Sequence, residues 1–201
     1  PGGGGGCAGG AAVNGVGFTF YLGLHRPPWL ADLRMADVPS MVSHATLKNR
    51  RTLPLAAGRW VRDSEGFSIL TKHGRYPWTA QEFARAVERD RAEVGGMDWA
   101  SPCDWPCEDK MLARTGLTIE EHQRRTVDSV LELRALGAPV IPVLQGQDLR
   151  HYLRCAELYD RAGLDLRAEP TVGLGSFCRR QQMGDAGVIV RALHGLGLRL
   201  H

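Results

Sequence analysis

No stretch of the 201 residues supplies the roughly 18 to 20 uninterrupted apolar residues that a membrane-crossing helix needs. No basic-then-apolar leader opens the chain either, so a cytoplasmic protein with no membrane partner is expected. The five cysteines (Cys7, Cys103, Cys107, Cys155, Cys178) are odd in number, lack disulfide-framework spacing and form no Cys-x-x-Cys pair. That excludes a disulfide scaffold and a zinc ribbon and fits a reducing compartment. Cys103 and Cys107 flank Asp104, but a metal there is a weaker reading than buried thiols. Strong charge of one sign is also missing. At a net charge of +3 the composition does not announce a nucleic-acid binder. The basic residues are nevertheless grouped, at Lys48, Arg50 and Arg51, at Arg124 and Arg125, and at Arg179 and Arg180. Such groups pair with phosphates where they converge and are solvated surface where they do not.

What is present is a regular alternation. Residues 1–17 form a glycine-rich lead-in without apolar periodicity, expected to be flexible, and residues 18–201 form one domain. Strands are expected over Phe18–Gly23, over Pro39–His44 and in the run entering Asp63. Thr79 with Glu82, and Thr118 with Glu121, have capping-box spacing and open two amphipathic helices, while Asp148 caps a third. Further strands are expected over Met97–Ser101, Val140–Leu144, Leu164–Ala168 and Leu198–His201, with a last helix through Val188 and Leu193. The order helix, glycine, strand recurs at Gly96, Gly137, Gly163 and Gly197, which is repeated βα architecture on a parallel sheet. Two closures compete, a (β/α)₈ TIM-type barrel and an open doubly wound sheet. The first βα turn lacks Gly-x-Gly-x-x-Gly, which removes the main support for the open nucleotide-binding sheet and favours the barrel. About seven strands are counted, one short of closure. A chain that begins on Pro1 and ends on His201 is therefore read as a piece of a longer frame, cut before its last strand.

In a barrel the carboxyl ends of the strands form one rim, and catalytic groups come from several of them. Here they would deliver His25, His44, Asp63-Ser64, Asp104, Gln145 and Glu169 to it. A carboxylate accepts from ring N–H and amino groups, an amide donates and accepts, and Phe67 offers a π face, a set suited to a planar nucleobase. Carboxylates also serve at glycosidic carbon as nucleophile or acid/base, because they stabilise an oxocarbenium-like transition state. Two weaker readings stand beside this one. One is a merely solvated rim; the other is a hydrolase binding metal through His25, His44, Asp63 and Asp104.

Asp63-Ser64-Glu65-Gly66-Phe67 resembles the Asp-Ser-Gly-Gly-Phe signature of the tRNA-guanine transglycosylase family (queuine and archaeosine tRNA-ribosyltransferases). Val143-Leu144-Gln145-Gly146 resembles that family's Val-Gln-Gly strand end, and Asp104 falls between the two in order. The chain is also similar to relatives of that family associated with 7-deazaguanine modification of DNA. The resemblance implies a TIM barrel that exchanges guanine for a 7-deazaguanine in tRNA or DNA through a covalent glycosyl–enzyme intermediate, without a cofactor and as a possible homodimer. Asp63 would be the acid/base or orienting carboxylate and Phe67 a stacking platform. Asp104 would read the base, Ser64, Gln145 and Gly146 would add substrate contacts, and the stretch from Glu169 to Gly175 would supply the next strand-end contacts, Glu169 among them. Three departures stand out. Glu65 replaces a glycine, no counterpart of the family's late cysteine-rich zinc cluster exists, and nothing after Leu198 supplies the nucleophilic Asp. No metal is expected, and a non-catalytic nucleobase or nucleic-acid binding module of the same fold is the alternative.

Overall fold

The computed structural model describes residues 19–177 and 183–201. The lead-in, Phe18, Cys7, Cys178, Arg179 and Arg180 lie outside them. The chain is mixed α/β. Four strands, β1 (Leu22–Leu24), β2 (Ser40–Ser43), β3 (Trp60–Asp63) and β4 (Met97–Ala100), make a parallel sheet in the order β1-β2-β3-β4. A parallel pair, β5 (Val143–Leu144) and β6 (Gly173–Leu174), follows. A bridge from Ala100 to Val140 ties β4 to the segment entering β5, and a bridge from Val172 to Leu200 adds the last segment beside β6. Among the described residues seven α-helices accompany them: α1 (His44–Leu47), α2 (Gly66–His73), α3 (Ala80–Val94), α4 (Asp109–Thr115), α5 (Ile119–Ala135), α6 (Leu149–Arg161) and α7 (Met183–Gly195). None is long and apolar enough to cross a membrane.

The helix starts follow from their caps. Thr79 accepts from the Glu82 N–H while the Glu82 carboxylate accepts from the Thr79 N–H, a complete capping box. Thr118 and Asp148 cap α5 and α6 by accepting from the N–H of Glu121 and of His151. Two expectations are corrected. Leu164–Ala168 is a turn, because Asp165 accepts from the N–H and guanidinium of Arg167 and bends the backbone there. The strand comes later, at Gly173–Leu174. The segment expected as a strand over Leu198–His201 makes only the isolated bridge at Leu200.

Side chains alternate along β3. Trp60 and Arg62 point to the helices, whereas Val61 joins Trp99, Ile141 and Val143 in a cluster on the other face, with Tyr21 and Met41 packed against it. The Tyr21, Trp99 and His201 rings meet edge-on at centroid distances of 4.9 to 5.6 Å, so the first strand region and the last segment approach over β4. On the helix side Arg62 is fully buried. Its Nε donates to Asp90 Oδ2 at 2.8 Å, its Nη2 donates to His44 Nδ1, and its guanidinium lies 4.7 Å from the Phe83 ring centre. Burial, with Arg62 as the nearest charge, pushes the His44 imidazole down to about 3, so it stays neutral and accepts.

Removing one member of a buried ion pair leaves a charge without compensation. Asp90→Ala is therefore expected to cost about 3 to 5 kcal/mol in urea unfolding, and the double change Arg62→Met with Asp90→Leu distinctly less. A loss under about 1 kcal/mol for the single variant would overturn this account of β3.

Candidate active site at the strand ends

The second inward position of β3 is Asp63, two residues on from Val61. With Ser43 at the end of β2 it forms one wall of a cavity of about 360 Å³. Glu65, Gly66, Phe67 and Ser68 from the start of α2 close one side, Asp104, Pro106 and Glu108 a second, and residues 174–177 after β6 a third.

The turn from β3 into α2 is the tightest constraint. Glu65 has φ 62°, a left-handed conformation that glycine adopts more readily. That accounts for a glycine being usual there. Glu65 is held nonetheless, because its Oε2 accepts from the Ala45 N–H at 2.8 Å and satisfies a free donor at the start of α1. At Gly66 an added Cβ would stand 2.7 Å from the Tyr76 hydroxyl and 2.8 Å from Asp104 Oδ1. The turn can lie against Asp104 only because no side chain intervenes.

Asp104 is fixed from three directions. Ser64 Oγ donates to its Oδ1 at 3.1 Å, Gln145 Nε2 donates to its Oδ2 at 2.6 Å, and the Tyr76 hydroxyl donates to its backbone carbonyl at 2.5 Å. Gln145 is locked in turn, since Ser176 Oγ donates to its Oε1 at 2.7 Å while accepting from the Cys107 N–H at 2.6 Å. That fixes which end of the amide faces Asp104. Gly175 makes this possible, as a Cβ there would come within 2.1 Å of the Gln145 amide nitrogen. Behind the loop, His122 donates from Nδ1 to the Pro106 carbonyl at 2.7 Å and holds that wall.

Burial raises both carboxyl groups. Asp63 is shifted upward, chiefly by desolvation, with the N–H groups of Glu65 and Ser64 partly offsetting it. Asp104 is pushed up to about 7 by desolvation and then by the negative charge of Asp63. Two carboxyls near one cavity with pKa values driven up are what acid/base work at neutral pH requires.

The sequence-derived candidates divide by place. Asp63, Phe67 and Asp104 line the cavity, while Ser64 and Gln145 are fully buried and hold Asp104 from behind. Gly146 backs against α6, where a Cβ would stand 2.7 Å from that of His151. Glu169 is not brought to the cavity. It precedes β6 and is paired with Arg134 at 2.7 Å, a consequence of the strand lying later than expected. His25 is exposed against Trp29, and His44 faces Arg62. Among the described residues no group of three His, Cys, Asp or Glu could hold a metal ion. Cys103 and Cys107 are free, buried thiols, both pushed upward by burial. Sequence reasoning missed Ser43, Glu108, Ser176 and Phe177; only the glycine-rich stretch before Ser176 hinted that the backbone comes close there.

Residues 17–200 match the family model described as DpdA, DeoxyPurine in DNA protein A. No curated protein and no solved structure matches the chain.

Asp104 generates a stability prediction. Its folded-state value of about 7 lies above the ordinary 3.8 of the unfolded chain. The stability it contributes is thus fully present below about pH 4 and lost as pH rises through 7. Asp104→Asn should flatten the fall in the urea midpoint between pH 4.5 and 7.5. An equally steep fall in the variant would overturn the assignment.

Proposed function

As the chain belongs to the DpdA family, a 7-deazaguanine DNA-modification family related to tRNA-guanine transglycosylases, we propose that it exchanges guanine for a 7-deazaguanine base in DNA. The observation that carries this reading is the Asp104 carboxylate, pinned by Ser64 and Gln145 on the wall of a cavity that also holds Asp63 and Phe67.

The chemistry follows from the groups. A guanine or 7-deazaguanine edge presents a ring N–H and an amino group, both donors, and an ionised Asp104 supplies the acceptors. Because Ser64 and Gln145 already occupy one site on each of its oxygens, the carboxylate cannot swing to follow a different base. Phe67 offers a π face, worth about 1 to 3 kcal/mol per stacked base. Asp63 is the acid/base or orienting carboxylate, its pKa raised above the ordinary carboxylate value by burial. Exchange through a covalent glycosyl intermediate requires in addition a carboxylate that attacks the anomeric carbon as guanine departs. The related family carries it on a later strand, and the residues after Leu198 here are Arg199, Leu200 and His201. We assign closure of the sheet into a TIM-type barrel to the same reading, supported by the meeting of Tyr21, Trp99 and His201.

A second reading, a base-binding module without turnover, is favoured by one observation. Asp63 and Asp104 are the only aspartates on the cavity wall among the described residues.

The test is exchange of labelled guanine or a 7-deazaguanine into DNA and, in parallel, into tRNA. Incorporation into DNA that disappears in Asp63→Asn, with base binding retained, supports the enzyme. Binding without incorporation in any arm supports the module. Asp104→Ala is expected to weaken base binding by about 1 to 3 kcal/mol in calorimetry. Because the acceptor is the ionised form, affinity of the parent chain should rise with pH through 7. Affinity independent of pH from 5.5 to 8.5 would remove Asp104 from base recognition.

A further inference from the structure

Beyond the strand ends the sheet ladder runs out, and the buried backbone of the loops that follow must find other partners. Strand β4 ends at Ala100 and β5 at Leu144, before Asp104 and Gln145 are reached. Helix α5 supplies the partners from its buried side. Ser129 Oγ accepts from the Cys103 N–H at 3.1 Å, Thr126 Oγ1 accepts from the Trp105 N–H at 2.9 Å, and His122 Nδ1 donates to the Pro106 carbonyl at 2.7 Å. Gln123 Nε2 donates to the carbonyls of Gln145 and His151, both at 2.7 Å. His122, Gln123 and Thr126 are fully buried and, with Ser129, share one face at helical spacing.

The loop after β4 is therefore laid along α5 in the reverse direction, with Cys103 on Ser129, Trp105 on Thr126 and Pro106 on His122. Asp104 falls between the first two contacts, so its backbone is held on both sides. Gln123 carries the same helix face to the next strand end. The backbone of Gln145 is fastened there from two helices, its carbonyl by Gln123 on α5 and its N–H by Cys155 Sγ on α6 at 3.5 Å. The 2.6 Å bond from Gln145 Nε2 to Asp104 Oδ2 thus joins two loops that are both referred to α5. Neither Gln123 nor Thr126 lines the cavity, so whatever they do for a ligand they do through Asp104 and Gln145.

We propose that Gln123 and Thr126 are positioning residues for base recognition, which set the separation of Asp104 and Gln145 and so decide whether a base bearing an amino group is told from one without it. This deepens the proposed function and rests on it. A 7-deazaguanine edge offers a ring N–H and an amino group to the two carboxylate oxygens, and each hydrogen bond weakens steeply as its distance and angle leave the optimum. Ser64 and Gln145 fix the rotation of the carboxylate, whereas the backbone fixes where it stands. Releasing the Trp105 N–H or the Gln145 carbonyl frees that backbone, and the second of two simultaneous contacts is the first to be lost.

The test is calorimetric titration with 7-deazaguanine and with 7-deazahypoxanthine, which differ only in the amino group, at a temperature where each variant is folded. The parent chain is compared with Thr126→Val, Thr126→Ser, Gln123→Met and, as a control for lost packing, Val130→Ala, a fully buried position of α5. The parent should favour 7-deazaguanine by about tenfold or more, because a site built to accept from an amino group rejects the analogue lacking it. Thr126→Val and Gln123→Met should cut that preference to about threefold or less, chiefly by weakening 7-deazaguanine. Thr126→Ser, which keeps the hydroxyl, and Val130→Ala, which removes only apolar contacts, should both retain it. An undiminished preference in a folded Thr126→Val or Gln123→Met would overturn the assignment of that residue and leave the base-exchange reading standing. Equal loss in Thr126→Ser or Val130→Ala would mark a packing effect and also overturn the assignment. Should Gln123→Met not fold, Thr126→Val, which keeps the shape of the parent side chain, decides alone. No preference in the parent chain would overturn both the assignment and the base-reading role of Asp104.

Discussion

The period of two along β3 is the constraint from which the rest of the molecule follows. Trp60 and Arg62 face the helices, Val61 and Asp63 face the opposite side, and a slip of one residue would exchange the two sets. That slip is blocked from both faces. Arg62 has found a buried carboxylate in Asp90, a neutral imidazole in His44 and an aromatic face in Phe83, none of which Val61 or Asp63 could use. The pair does not earn its place by net stability, since well-packed apolar residues often do as well. Its consequence is register. With Arg62 anchored behind the sheet, Asp63 must emerge at the strand end toward the cavity.

A similar economy governs the cavity. Asp104 is positioned before any ligand arrives, through a chain of hydrogen bonds running from Cys107 by way of Ser176 and Gln145. Such a chain costs nothing to reorganise when a base enters, because the orienting bonds are already made. The desolvation that raises Asp104 is the other face of the same arrangement. A carboxylate packed tightly enough to be rigid has lost water, and it ionises only when pH or an incoming donor compensates.

Much of this was legible in the sequence where local chemistry decides the outcome. Caps at Thr79, Thr118 and Asp148 and glycines at helix ends depend on a few neighbouring residues, and they placed α3, α5 and α6 correctly. Asp63, Asp104 and Gln145 were identified because each follows a short apolar run. The reading failed where a distant partner decides. Leu164 to Ala168 has strand-like leucines, yet Asp165 bends it locally and Leu166 is buried as part of a turn. Val172 to Gly175 is poor strand material by composition. It becomes β6 because Gly173 must clear Val143 and Gly175 must clear the Gln145 amide, facts belonging to β5 and not to the stretch itself. Glu169 was displaced from the site by that one error.

Glu65 shows the same division inside the signature. From sequence it is a departure, a charge and a Cβ where glycine is usual. In three dimensions the backbone still takes the left-handed turn, at a cost of order 1 to 2 kcal/mol for a residue with a Cβ. The carboxylate offsets part of it by accepting from Ala45 at the start of α1, an exchange that a glycine cannot make. The substitution thus ties the β3 turn to the helix after β2, so that two neighbouring strand ends, with Ser43 on one and Asp63 on the other, are held as one wall of the cavity. What looked like damage to the motif is a second fastening of the same turn.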